Sequence, residues 1–382
     1  MVDTFDRRKF LPPLLLRLLF LLIFTLPLLQ CKAFGKDPEG VHLETIQKST
    51  HYDRSREQFV NRRPDVLEKM RENQNFFSLL LRFLFGGDKH QKPSVKLPEV
   101  KPDFAEFLKP DRNIKFIWFG HSTFLVNLEG TILFFDPVFS ESAAPFGFMV
   151  KRFQDAVVKL EELPKIDYII ISHDHYDHLD METITFFKSK NTHFITPLGV
   201  TSHIKEWGVT QDRLHELDWW ERFDLGKIQI ICTPAQHFSG RRGMNGNKTL
   251  WSSWTVLGQK ERFYFSGDSG YDIHFKQIGD AYGPFDVTFL ENGQYNPMWQ
   301  AVHSLPEQTA QAHLDLRGKR LVPVHWGMFD LSLHSWYEPA VNIEKEAKKH
   351  NIDLLTPKFG QLVKLKEPNF FERWWKEYIE KD

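Results

Sequence analysis

An α/β sandwich, with helices covering sheet, is predicted by three observations: short strands alternating with helices, a leading hairpin, and a His- and Asp-rich turn at a strand end. The regular part of the chain opens at Ile114. There Lys115-Phe116-Ile117-Trp118-Phe119 precedes Gly120-His121-Ser122, and Thr123 to Leu128 and Thr131 to Phe135 read as strands joined by a turn at Gly130. Further strand-like runs are Tyr168 to Ile171, Thr192 to Thr196, Ile228 to Cys232, Arg262 to Phe265, Val287 to Leu290 and Arg320 to Val324. Helical patterns fall between several of them, at Asp180 to Lys190, Pro306 to Leu316 and Val341 to Lys349. No internal repeat is visible.

The chain of 382 residues is long enough for one large α/β domain with appendages. Its 49 Lys and Arg against 50 Asp and Glu give no global field to hold an anionic polymer, so nucleic acid is not an expected partner. Phe occurs 35 times, which predicts either an aromatic core or apolar surface for a lipid-like ligand. The two cysteines, Cys31 and Cys232, form no disulfide framework and no Cys-based zinc site. Any metal must therefore be held by histidines and carboxylates.

Residues 1–31 have the layout of an export signal or membrane anchor: Arg7-Arg8-Lys9 precede an apolar run from Leu11 to Leu29. Three routes fit: a twin-arginine signal, a lipoprotein acylated on Cys31, or an uncleaved anchor. All three put the protein at the cell envelope, associated with a membrane. Residues 32–110 form a charged, proline-punctuated extension, partly helical, with one apolar burst from Phe76 to Phe85 stopped by Gly86-Gly87. That burst is too short to span a bilayer and reads as a packed helix or a lipid-touching element. Residues 111–366 make the catalytic domain. In the tail, 367–382, Phe370, Phe371, Trp374, Trp375 and Tyr378 share one helical face, which is expected to dock on the domain, with an interfacial helix as the alternative.

The chemistry is concentrated in His173-Asp174-His175-Tyr176-Asp177-His178, directly after the apolar strand Ile169 to Ile171. In open α/β sheets ligands gather at such strand ends, because the chain turns there and side chains converge on a crevice. His173 and His175 can face one cation, and Asp177 and His178, placed at the start of the next helix, a second. Imidazole and carboxylate suit zinc. The same design recurs downstream, where apolar strands lead to His237, to Asp268 and to His325. Together these supply seven ligands, enough for two cations sharing Asp268 with a position left open for water.

At these positions the sequence resembles the metallo-β-lactamase superfamily, through His-x-His-x-Asp-His at His173, His175, Asp177 and His178 and then His237, Asp268 and His325. More narrowly it resembles the branch containing N-acyl-phosphatidylethanolamine-hydrolysing phospholipase D and its bacterial relatives. The passages concerned include Trp118 to Thr123, Phe135 to Ser140, Pro234-Ala235-Gln236-His237, Gly267 to Tyr271 and His325-Trp326-Gly327, within Asn113 to Leu365. The resemblance implies a four-layer αββα sandwich. It also implies two divalent cations, zinc first among them: one on His173, His175 and His237, the other on Asp177, His178 and His325, with Asp268 between. Glu291 to Trp299 departs from the phospholipase pattern, which leaves the substrate open but not the chemistry. His303, ahead of Pro306-Glu307-Gln308, matches a substrate-contacting histidine and is expected to steady a phosphoryl oxygen or protonate the leaving group.

The expected reaction is hydrolysis of a phosphodiester in a phospholipid of the N-acyl-phosphatidylethanolamine type, by water that the paired cations acidify and Asp177 orients. A lactonase or other hydrolase of a small hydrophobic ester is the alternative enzyme, and a nuclease stands third because of the neutral charge. A non-catalytic envelope metal-binding protein is the reading from another class. Ser122 beside His121 has no orienting acid near it in sequence, so that turn is expected to pack under the site. The expected partners are the lipid substrate and a membrane surface, and the resemblance implies a homodimer.

Overall fold

The computed structural model describes residues 31–72, 86–111, 113–242, 246–368 and 371–382. The apolar run from Leu11 to Leu29 and the burst from Phe76 to Phe85 lie outside them. The extension folds into a helix, Gly40–Ile46, a small hairpin of β1 (Tyr52–Asp53) and β2 (Gln58–Phe59), and a helix, Val66–Glu72. Among the described residues no helix is long and apolar enough to cross a membrane.

The domain contains two seven-stranded mixed sheets. The first is built from β3 (Lys115–Trp118), β4 (Phe124–Leu128), β5 (Thr131–Phe135), β6 (Tyr168–Ile170), β7 (His193–Pro197) and β8 (Leu214–Leu217). The second is built from β9 (Arg222–Asp224), β10 (Gln229–Thr233), β11 (Ser253–Leu257), β12 (Arg262–Phe265), β13 (Val287–Glu291), β14 (Arg320–Val324) and β15 (Asp353–Leu354). Strand β16 (Leu362–Lys364) returns to pair with β3 and closes the first sheet. Gly130 turns the hairpin between β4 and β5 at φ +90°, where a side chain would be strained.

Alternation along the strands explains the layers. Phe124, Val126 and Leu128 of β4 and Phe135 of β5 point to the same inter-sheet core as Phe263 and Phe265 of β12 and Phe289 of β13. Phe124 stacks between Phe289, 4.2 Å away, and Phe135, 4.8 Å away. Leu125, Phe134 and Ile169 face outward and are covered by Ile184 and Phe187 of the helix Met181–Phe187. On the far side, Tyr264, Leu290 and Leu321 are covered by the helices His274–Tyr282, Pro306–Asp315 and Glu338–His350. The result is the four-layer αββα sandwich. A large share of the phenylalanines is thereby spent on the core, each buried ring contributing roughly 1.5–3 kcal/mol. The C-terminal helix, Trp374–Ile379, docks as its aromatic face predicts: Trp375 is fully buried, and Trp374 stacks on Trp326 at 5.4 Å.

Candidate metal centre

Strands β5 to β8 run parallel, as do β12 to β15, so their C-terminal ends share one edge of the sandwich. At that edge β6 gives way to His173–His178. The next helix begins at Met181, capped by Asp180 accepting from Glu182 N and Thr183 N. Asp177 and His178 therefore sit in the turn before the helix, one turn earlier than the sequence suggests. Asp174, inside the motif, is an anchor. Its buried carboxylate accepts from Gly240 N at 2.7 Å, Thr249 Oγ1 at 2.9 Å and His203 Nε2 at 3.2 Å.

The seven predicted side chains are brought into two adjoining groups. His173 Nε2 lies 2.9 Å from His175 Nδ1, and His237 Nε2 lies 3.3 Å from the same atom. His325 Nε2 is 3.3 Å from both Asp177 Oδ2 and Asp268 Oδ2, and His178 Nε2 is 3.2 Å from Asp268 Oδ2. Asp268 Oδ2 also lies 3.9 Å from His173 Nε2 and 3.7 Å from His237 Nε2, which puts this one carboxylate between the groups. Ligand atoms about 3.3 Å apart are what a tetrahedral cation bound at about 2.0–2.1 Å requires. Two further features fit a cation. His178 Nε2 and Asp268 Oδ1 are buried with no hydrogen-bond partner, a costly state that coordination would relieve. Burial, aided by the neighbouring His178, His175 and His237, holds His173 well below the usual imidazole range, so it stays neutral as a ligand must. Burial opposes ionisation of Asp177 and Asp268, yet a charged His178 beside them holds both carboxyls well below the usual range. Against burial, Asp268, Asp177 and Asp136 hold His178 well above the usual imidazole range, so a cation at its Nε2 would have to displace that proton.

Outer partners fix the rings. His178 Nδ1 is 2.7 Å from Asp136 Oδ2, His173 Nδ1 is 2.9 Å from Ser172 Oγ, and His237 Nδ1 is 3.0 Å from the Val302 carbonyl. Each leaves Nε2 turned toward the cluster. Ser172 also donates to Asp136 from both its amide and its hydroxyl. Asn61, from the extension, donates to the His237 carbonyl at 2.8 Å and accepts from its amide at 3.1 Å.

Sequence reasoning missed several participants, Asp136 among them. His121 does not merely pack beneath the site: its Nε2 reaches Asp177 Oδ2, an acid 56 positions away. Glu291, the last residue of β13, lies 3.0 Å from His303 Nδ1 and 3.7 Å from His325 Nδ1, and burial raises its carboxyl to about 7, with His303 opposing. His303 stands at the edge of the cluster, 4.0 Å from Asp268 Oδ2, its ring near-parallel to that of His325. Arg241 is buried beneath the motif and donates to the carbonyls of Asp174 at 2.7 Å and Leu179 at 2.8 Å.

A segment from the extension closes over this floor. Trp207 Nε1 donates to Lys32 O, Arg241 Nε and Nη2 to Ala33 O, and Arg242 Nη2 to Gly35 O, while Lys36 N donates to His203 Nδ1. This strap reaches Asp174 through His203.

A model of the beta-lactamase superfamily domain matches residues 131–326. An uncharacterised Mycobacterium tuberculosis protein is 36% identical over 349 residues, covering 90% of this chain and 92% of its own. The Caenorhabditis elegans N-acyl-phosphatidylethanolamine-hydrolyzing phospholipase D 1 is 38% identical over 234 residues, 58% of this chain and 65% of its own. Among solved structures, the metallo hydrolase Igni18 of Ignicoccus hospitalis superposes with a TM-score of 0.53 at 20% identity, over 66% of this chain and 97% of its own, and so shares the fold. The ligand pattern, the four layers and the extent of these matches agree: the chain belongs to the metallo-β-lactamase superfamily.

Proposed function

We propose that the protein is a metal-dependent hydrolase that cleaves a phosphodiester in N-acyl-phosphatidylethanolamine-type phospholipid. The observation that carries the hydrolase reading is Asp268 Oδ2, within 3.9 Å of four imidazoles drawn from three separate strand ends. The lipid substrate is supported by the C. elegans relative and by the apolar run between Leu11 and Leu29, which suits the cell envelope.

Divalent cations, when bound, supply Lewis acidity that lowers the pKa of water and draws charge from ester oxygens. His173, His175 and His237 would hold one and Asp177, His178 and His325 the other, with Asp268 shared. Asp177 orients the attacking water through the carboxylate oxygen not engaged by His121. His303, whose pKa Glu291 raises against the opposing effect of burial, donates a proton to the leaving oxygen. Asp136, Ser172 and Val302 hold the ligand rings so that nothing rearranges during turnover.

The test is to incubate the purified full chain with N-acyl-phosphatidylethanolamine vesicles and with a panel of lactones, with and without chelator. Release of phosphatidic acid that stops on chelation and in His175→Ala, circular dichroism being unchanged, is the expected result. Lactone turnover without lipid turnover overturns the substrate. Lipid cleavage that survives chelation overturns the metal reading.

A further inference from the structure

Residues 141–152 form a short ribbon at the edge of the sandwich that carries the metal cluster. Ser142 bridges Lys151, Ala143 N donates to Val150 O at 3.1 Å, and Arg152 N donates to Glu141 O at 3.0 Å. The base is pinned: Ala143 is buried with Val138, Met328 and Phe329, and Arg152 Nη1 donates to the Phe139 carbonyl. The tip is a tight turn closed by Met149 N to Phe146 O, and it is apolar. Phe148 is 77% exposed and Met149 43%, and among the described residues no other two large exposed hydrophobics are neighbours in sequence. Scattered exposed apolar residues are ordinary, whereas a pair on the tip of a braced ribbon is a presented surface.

What covers that tip is indicated by where the rest of the chain lies. Phe146 stacks on Phe148 at 5.9 Å and meets the edge of Phe34 at 6.3 Å. Phe34 is only five positions after Leu29, the end of the apolar run, so at most about 18 Å of extended chain separates them. That run of 19 residues from Leu11, broken by the single charge of Arg17, would span about 28 Å if helical, close to the thickness of a hydrocarbon layer. The first described residues thus lie on the same side of the molecule as the tip. Lys32 and Lys151 are exposed there, beside Glu141, and suit the polar headgroup level. The ribbon also walls a cleft of about 390 Å³, between Ser142 and Pro145 on one side and Tyr176 and Arg241 on the other. Because the ribbon walls it, a membrane at the tip brings this cleft to the bilayer surface.

We infer that Phe148 and Met149 insert into the interfacial zone of a phospholipid bilayer. The inference holds whichever ester the site cleaves.

The experiment uses the full chain reconstituted into phosphatidylcholine vesicles, carrying the photoreactive p-benzoylphenylalanine in place of Phe148 or, as control, of Leu108. Leu108 is 45% exposed and lies just before β3, whose first residues neighbour the Gly130 hairpin at the opposite edge. Irradiation is expected to give lipid adducts at 148 and none above background at 108, with equal thermal midpoints for the two proteins. Equal adducts at the two positions, or adducts at 148 only to residues 1–30 or to a second copy of the chain, overturn the inference.

Discussion

His121 Nε2 lies 2.9 Å from Asp177 Oδ2, inside the cluster of side chains suited to a cation. The turn that brings it there bends His121 to φ +51°, and its backbone pairs reciprocally with the other end of the site: His121 N donates to Trp326 O and His325 N to His121 O. A residue bent into the left-handed region and buried against a carboxylate proposed to hold a cation is a positioning group for that carboxylate. His121→Ala is expected to weaken zinc binding and turnover by about 10–100-fold, with His121→Asn recovering part of the loss. Zinc affinity by chelator competition, read beside kcat and KM, checks this. Zinc affinity within about twofold of the parent would remove the positioning role.

Phe124 is the ring on which both sheets meet. Phe124→Ala is expected to lower stability by about 3–5 kcal/mol, and Phe124→Leu by less than about 1.5 kcal/mol. Urea unfolding followed by tryptophan fluorescence measures both. Equal losses in the two variants would mean that aliphatic bulk cannot replace the stacked ring, and would overturn the volume argument.

Gly35 occupies φ +63° in the strap, and a Cβ placed there would stand 2.3 Å from His203 Nδ1. Gly35→Ala is therefore expected to destabilise by more than about 1 kcal/mol and to loosen the strap. Hydrogen exchange at residues 31–36 should quicken in the variant. Unchanged exchange and an unchanged urea midpoint would contradict the crowding.

His42 anchors the first described helix through Glu216 Oε2 at 2.7 Å and Ser202 Oγ at 2.8 Å. The hydrogen bond to Glu216 raises its pKa above 6.5, with burial and Lys205 opposing. A folded pKa raised above the unfolded one gives a stabilisation that is full below the unfolded value and is lost as pH rises through the folded one. The thermal-midpoint gap between the parent and His42→Gln should accordingly be wider at about pH 5.5 than at about pH 9. A gap that does not change with pH would show that the imidazole contributes only as a neutral partner.

The layers and the clustering of the seven side chains are legible in sequence because both depend on one repeated device, an apolar strand ending in a polar residue at a turn. His237, Asp268 and His325 follow that device and are found by it. So do His121 after β3, Asp136 after β5 and Glu291 at the end of β13, and the device would have flagged them had it been applied to every strand. They escape because each partner is remote: Asp136 meets His178 from 42 positions away. Arg241 escapes for a different reason, since an arginine in a loop reads as solvated until its acceptors, backbone carbonyls that leave no trace in composition, are seen. The edge strands β9, β15 and β16, of two or three residues, are too short to express a period of two.

The strap also says something about the order in which the centre matures. Arg241 reaches Ala33 across 208 positions, so the first segment of the described chain meets its donor only after about half of the domain has been synthesised. Loop closure over such a separation costs entropy that later contacts must repay. The floor beneath the histidine-rich turn therefore sets only when this long-range contact closes, however complete the strands on either side of it are.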